Sequence, residues 1–303
     1  MGKAEIKEII RAKVLGFCMG VQRAVELALD EAERSGGQGV YTLGPLIHNP
    51  AVLADLKKKG IQIIDEQPKN PWDRLDEKPF VPNSNSSVII RAHGISPDVE
   101  KELRGNGCHI IDATCPRVKA SQLKAEELSL KGYSLFLAGE VNHAEIEGIM
   151  GYAGTSSCAV VSCAEEAGKS AAKLYGADKS AKTALLGQTT ISEDEYQKIA
   201  EAIKKYFPNL EVEMSICDAA AKRRQALREL LDEVDAVIIA GGKESANTRR
   251  LLAIAEESGK PCALVEDVRE IPAPFRFFEK VGISAGASTP DSLIEEIEME
   301  FLR

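Results

Sequence analysis

Seven cysteines and four histidines are the side chains with the widest chemical reach in this 303-residue chain. The cysteines are Cys18, Cys108, Cys115, Cys158, Cys163, Cys217 and Cys262. Their number is odd and no Cys-x-x-Cys occurs, which argues against a disulfide framework and against a compact zinc knuckle. The ordinary account of a cytosolic cysteine is a small buried hydrophobe. Three of the seven depart from it by sharing one context. Cys18 ends AKVLGFC, Cys115 ends CHIIDATC and Cys217 ends LEVEMSIC, each a strand-like run. Each then opens a stretch with apolar residues at helical spacing, such as Val21, Ala24, Val25, Ala28 and Leu29. They lie roughly a hundred residues apart, a period that points to an internal repeat. A structural zinc takes four protein ligands. Three thiolates from three repeats, with a fourth position open, suit a 4Fe-4S cluster with one iron free to meet a substrate. Pro116, directly after Cys115, fits a cluster cysteine and equally a first helical residue.

His48, His93 and His143 fall in polar loops that follow strand-like runs, whereas His109 lies within such a run and reads as structural. With Ser245, Asn247 and Ser288 the three loop histidines offer donors for a multiply charged anion such as a diphosphate, aided by backbone N–H groups at helix starts. Neither a Walker sequence nor GxGxxG is present, so a nucleotide is not indicated. Glu145, two residues after His143, is the leading candidate acid, because a desolvated carboxyl has a raised pKa suited to proton delivery. Glu147 competes for that role, and a plain helix-start carboxylate is the bland account of either. Thr189 and Thr190 in GQTTIS are placed to relay a proton or orient a substrate, or are ordinary loop threonines.

The elements that must position these residues also repeat. About 25 residues after each of the three cysteines comes a strand-like run with a polar loop: VYTLGPLIHN, SLFLAGEVNHAE and AVIIAGGKESANT. Further on comes a second set: SVIIRAHGIS, TALLGQTTIS and VGISAGASTP. Short runs at 61–64, 158–162 and 262–265 lie between. Strands alternating with helices predict α/β units with small parallel sheets, and ligands in such sheets bind beyond the strands' carboxyl ends. The expected architecture is three similar α/β domains in a pseudo-threefold trefoil around a central cluster, with one long doubly wound sheet as the alternative. The domains run over 18–114, 115–216 and 217–303 plus 1–17. The segment 65–87, with four prolines and the only tryptophan, reads as a surface loop. The net charge of −9 argues against broad nucleic-acid binding. No apolar run is long enough for a bilayer and no export signal opens the chain, so a reduced, cytoplasmic protein is expected.

GFCMGV, IHN, RAHGIS, DATCP, NHAEIEGIMG, QTTIS, GGKESANTRRL and AGASTPD, in this order from residue 16 to 291, resemble the 4-hydroxy-3-methylbut-2-enyl diphosphate reductase family. AHG, DATCP and HAEIEG together are the most specific of these. The resemblance implies the trefoil, completed by the N-terminal strand in the third domain. It implies a 4Fe-4S cluster on Cys18, Cys115 and Cys217. Diphosphate contacts are implied for His48, His93, Ser245, Asn247 and Ser288, with Glu145 as proton-delivering acid and His143 and Thr189 as catalytic and substrate-binding partners. The implied reaction is reductive dehydroxylation of the allylic diphosphate to isopentenyl and dimethylallyl diphosphates. Two electrons pass singly through the cluster from a ferredoxin or flavodoxin. The basic run Lys222-Arg223-Arg224 offers such an acidic donor a docking point, beside the ordinary account of a solvated helix face. Ala246 stands where the family often has a second serine, and DAAAKRRQ after Cys217 lacks the family's threonine. Those two departures motivate one alternative, a degenerate relative holding a cluster as a redox or iron sensor. A quinolinate-synthase-like three-cysteine enzyme is the other, and AHG with HAEIEG speaks against it.

Overall fold

The structure is a computed structural model, and it describes residues 8–47, 49–64, 82, 84–154 and 158–302. Twelve described strands form three four-stranded sheets, and every pairing is parallel. The first sheet contains β2 (Val40–Leu43), β3 (Gln62–Ile64), β4 (Ser87–Ile90) and β5 (His109–Asp112) in the order β3-β2-β4-β5. The second contains β6 (Ser134–Ala138), β7 (Cys158–Val161), β8 (Thr183–Gly187) and β9 (Glu211–Val212) in the order β7-β6-β8-β9. The third contains β10 (Ala236–Ala240), β11 (Cys262–Val265) and β12 (Lys280–Ala285), with β1 (Glu8–Arg11) beside β12, in the order β1-β12-β10-β11. The three orders are one topology used three times, with β1 as fourth strand of the last sheet.

The chain divides into two compact units. One comprises Met1–Glu26, Ile47–Lys59 and Asp218–Arg303 and holds the third sheet. The other comprises Leu27–Leu46 and Gly60–Cys217 and holds the first two. Central strands are buried on both faces, as parallel strands between helices must be. SLFLA, TALLG and AVIIA accordingly read as unbroken apolar runs. In the second unit Phe136, Leu185, Ile199 and Ile203 pack on one side of a sheet and Leu135, Leu137, Ile146 and Ile149 on the other. In the first unit Leu227, Leu230, Val237 and Ile239 pack together, and so do Ile238, Val265, Val281 and Ile283.

Several helices begin where strand-end loops supply a capping group or a proline. The relevant ones are α1 (Met19–Ser35), α2 (Pro50–Lys58), α3 (Pro97–Gly105), α4 (Pro116–Leu130), α5 (Ala144–Ala153), α6 (Ala164–Ala177), α7 (Glu193–Lys204), α8 (Asp218–Glu233), α9 (Ala246–Glu257) and α10 (Asp291–Leu302). Asn49, Ser96, Ser192 and Ser245 cap α2, α3, α7 and α9 through side-chain oxygens. Polar residues therefore collect at the carboxyl ends of the strands.

The runs before Cys18 and Cys217 are strands for only part of their length. β1 stops at Arg11, and Gly16 turns the chain at φ 71. β9 stops at Val212, and its edge position leaves it one neighbour, β8. Beyond it the ladder is replaced by single bonds, such as Gly187 N–H to Ser215 Oγ at 2.6 Å. The proline-rich loop lies outside the described residues except for 82 and 84–87.

Candidate active site

Glu145 is the most deeply buried carboxylate of the second unit, at 1% exposure. It sits in the first turn of α5, after a turn in which Asn142 adopts φ 67, a conformation asparagine tolerates. Thr189 grips it from the loop after β8: the Thr189 N–H donates to Oε1 at 2.7 Å and Oγ1 donates to Oε2 at 3.0 Å. Burial pushes the Glu145 carboxyl up to about 7, and the two Thr189 bonds only partly offset it. Glu147, two residues on, is exposed. His143 caps α5, its Nδ1 accepting the Glu145 N–H at 3.2 Å. A neutral ring that accepts at Nδ1 carries its hydrogen on Nε2, so His143 presents a donor beside the acid. His93 meets His143 edge to face with ring centroids 5.4 Å apart. His93, His143, Glu145 and Thr189 are thus brought together, from the loops after β4, β6 and β8.

Cys115 joins this group through its backbone. Its N–H donates to the carbonyl of Ala92, next to His93, at 2.9 Å. Asp112 Oδ1 accepts the Thr114 N–H at 2.9 Å and tightens the turn, and Pro116 starts α4. Gly94 has φ 73, and a Cβ there would fall 2.3 Å from the Gln122 amide nitrogen. No larger residue lets the His93 turn approach α4 this closely.

The same backbone bond recurs at the other two cysteines. Cys217 N–H donates to Thr189 at 2.9 Å, and Cys18 N–H donates to Ala287 at 3.1 Å. Ala92, Thr189 and Ala287 each lie two residues beyond the third strand of their sheet, β4, β8 and β12. All three cysteines lie outside any disulfide, half-buried and directly before a helix. Burial pushes the Cys108 and Cys262 thiols up, and Cys158 up to about 11. Cys163 is also free and half-buried, at the start of α6, without the repeated bond. Among the described residues no three His, Cys, Asp or Glu side chains form a group able to hold a metal ion.

The first unit carries Ser245, Asn247 and Ser288. Ser245 Oγ caps α9, accepting the Thr248 N–H at 3.4 Å. Asn247 Nδ2 is buried with no hydrogen-bond partner among the described residues, and so is Thr248 Oγ1. An orphaned buried donor is costly unless a ligand or water takes its hydrogen. Asn49 Nδ2 donates to the Ser288 carbonyl at 2.8 Å, while its Oδ1 caps α2 by accepting from Ala51 and Val52. His48 lies outside the described residues, as does the side chain of Ala246.

Sequence reasoning missed Gln122, Gln188, Asn49 and Thr248. Gln188 is buried and bridges Thr190 Oγ1 and the Glu140 N–H, at 2.8 and 3.1 Å. The nearby glycines were the available signal, since Gly94, Gly139 and Gly148 each leave room for one of these two amides.

These features define an α/β protein with a buried, protonatable carboxyl among the strand-end loops of one unit and anion-ready donors at helix starts and loops of the other. The LytB protein family profile matches residues 9–302, and the chain belongs to that family. A Treponema denticola relative named 4-hydroxy-3-methylbut-2-enyl diphosphate reductase is 44% identical over 295 residues, covering 96% of this chain and 98% of the relative. An Aquifex aeolicus relative of the same name is 39% identical over 96% of this chain and 94% of its own. A solved structure of (E)-4-hydroxy-3-methyl-but-2-enyl diphosphate reductase, described as the terminal enzyme of the non-mevalonate pathway, matches with TM-score 0.76 and 38% identity, covering 97% of this chain and 99% of that one. A Plasmodium falciparum reductase structure matches with TM-score 0.77 at 25% identity, over 97% of this chain and 87% of that one.

Proposed function

We propose that this chain is an oxidoreductase that removes the hydroxyl of 4-hydroxy-3-methylbut-2-enyl diphosphate as water, giving isopentenyl and dimethylallyl diphosphates. The observation that carries this reading is Glu145, a buried carboxyl pushed up to about 7 and pinned by Thr189. Near neutral pH such a group holds a proton ready for a departing oxygen. The names and coverage of the relatives support the same reaction. Replacing C–OH by C–H takes two electrons and two protons and releases one water.

The residues present fit a 4Fe-4S cluster held by Cys18, Cys115 and Cys217. Soft thiolates are the right donors, and the three share one backbone bond and one place before a helix. When bound, the cluster supplies one-electron steps and an open Lewis-acidic iron. The protein's own part is anion binding and proton delivery. Asn247 Nδ2, Ser245, Ser288, His93 and His48 take the diphosphate; the orphaned Asn247 amide supports this assignment. His143 offers Nε2–H to the substrate, Thr189 orients Glu145, and Glu145 gives its proton to the leaving hydroxyl. Glu145 then recovers a proton from solvent between turnovers.

The repeated sheet topology supports three domains at 18–114, 115–216 and 217–303 plus 1–17, set in a pseudo-threefold trefoil. No helix among the described residues is long and apolar enough to cross a membrane. Seven cysteines, none in a disulfide, support a reducing, cytoplasmic setting, and the electron donor we assign is a ferredoxin or flavodoxin. The test is anaerobic purification, iron and sulfide counting, and assay with dithionite-reduced viologen. We expect cluster absorbance and consumption of the allylic diphosphate; a fully reconstituted sample without turnover refutes the enzyme.

A further inference from the structure

The proposed reaction consumes two electrons, and no nucleotide signature in this chain supplies them. A separate redox protein must dock, and a chain with net charge −9 repels acidic partners unless one surface reverses the sign locally. The basic run after Cys217 does not act as a unit. Lys222 is held by Asp218 at 2.7 Å. Arg223 is buried at 2% exposure and donates to the Gly16 carbonyl at 2.6 Å, so it faces inward. Arg224 is the one of the three left for a partner.

It has company. Arg228 stands one turn further along α8 and is exposed, and α9 packs against α8 and brings the exposed Arg250 close. Burial and the charges of Arg250 and Arg228 push the Arg224 guanidinium below its ordinary range. None of the three has a carboxylate within ion-pair distance among the described residues, whereas Arg11, Arg34, Arg104, Arg269 and Arg276 all do. Beside Arg228 the two helices leave a groove of about 390 Å³, with Leu231 and Ile254 as apolar lining and Asp232, Glu257 and Ser258 completing it. The sign of the surface therefore changes along the groove, which orients a charged partner. Cys217 immediately precedes α8, so Arg224 lies ~10 Å and Arg228 ~16 Å further along the helix axis.

We propose that Arg224, Arg228 and Arg250 form the docking surface for a small acidic one-electron redox protein that serves as the donor. The proposal rests on the reductase reading. Each docked, reduced partner is oxidised by one electron, and two dockings supply the pair that the reaction consumes.

The probe is an acidic flavodoxin, titrated in its oxidised form into the full-length holoprotein by calorimetry at low and at raised salt. The wild type should bind at low salt and weaken steeply with salt. Arg224→Glu, Arg228→Glu and Arg250→Glu combined should weaken binding about tenfold or more, with viologen-driven turnover and circular dichroism unchanged. The triple Arg→Lys variant should restore most of the binding. Salt-insensitive wild-type binding, or undiminished binding by the triple Glu variant, overturns the proposal. So does a surface that captures single-stranded RNA and ignores flavodoxin. A triple Glu variant with altered circular dichroism is replaced by single Arg→Gln variants, each expected to weaken binding severalfold. Failure of the reductase reading shows separately, as absent viologen turnover in the wild type with flavodoxin binding intact.

Discussion

Glu145 carries a proton in the folded protein over a range where the unfolded chain has lost it. Its carboxyl rises from 4.5 to about 7 on folding, chiefly through burial. Stability from this group is therefore greatest at low pH, falls as pH climbs from about 4.5 to about 7, and stays lowered above that. We expect Glu145→Gln to flatten the window, with a gain of about 3 kcal/mol at pH 8 over the wild type, measured by urea unfolding across pH. The same variant should keep the cluster and lose most turnover. In the wild type, kcat should fall as pH rises through about 7, because the acid form is the donor. Thr189→Val removes the Oγ1 bond and keeps the N–H bond. Because that hydroxyl lowers the carboxyl's pKa, its loss should move the kinetic limb upward by up to about one unit. An unmoved limb would mean that another group sets the profile. The sequence put Glu145 ahead of Glu147 in HAEIEG; what it could not show is the difference in burial, with Glu145 1% exposed and Glu147 on the open face of α5. Arg223 was misleading because a basic run reads as solvated, while its guanidinium serves the Gly16 carbonyl.

Loops and helix starts set the precision of the site. Gly94→Ala would place a methyl 2.3 Å from the Gln122 amide on a backbone at φ 73. We expect a loss of about 2–4 kcal/mol and a displaced His93, read as a lower melting temperature with weakened diphosphate binding. Asn49→Ala removes the cap of α2 and the hook on Ser288. About 1 kcal/mol of stability should go, and KM for the diphosphate should rise more than kcat falls. A rise confined to neither would reduce Asn49 to a cap. The strand-loop-helix sequence was readable from alternating apolar runs and capping residues. The extent of the strands before Cys18 and Cys217 was not, because Val14, Leu15, Met214 and Ile216 look strand-like while edge positions leave their backbones without a ladder. Gln122 and Gln188 were also hidden, since a polar helix or loop residue carries no sign of burial until its glycine neighbours are known.

Three copies of one sheet topology make the molecule a repeat that shares almost no sequence between copies. What the copies keep is backbone: the carbonyl two residues past the third strand receives the cysteine N–H each time. Cys115→Ser should abolish the cluster and Cys108→Ser should leave it, because Cys108 packs with Leu43, Val88 and Leu103. The opposite result would overturn the ligand assignment. Deleting residues 1–11 should strip the fourth strand from the third sheet and lower its protection from hydrogen exchange, measured at Val281, Gly282 and Ile283.

That fourth strand also sets a timetable. Among the described residues β1 has one strand neighbour, β12, which is made roughly 270 residues later, a gap of about 13 to 54 s at ordinary synthesis rates. The first and second sheets can close while translation continues, but the third cannot. Until then β1 is an open strand edge in a crowded cell, and the charges of Glu8 and Arg11 at its ends discourage the wrong partner in the meantime. The loop that carries Cys18 is tied to Ala287 and waits equally long, so loading of any metal that needs all three thiols waits for β12 to be made.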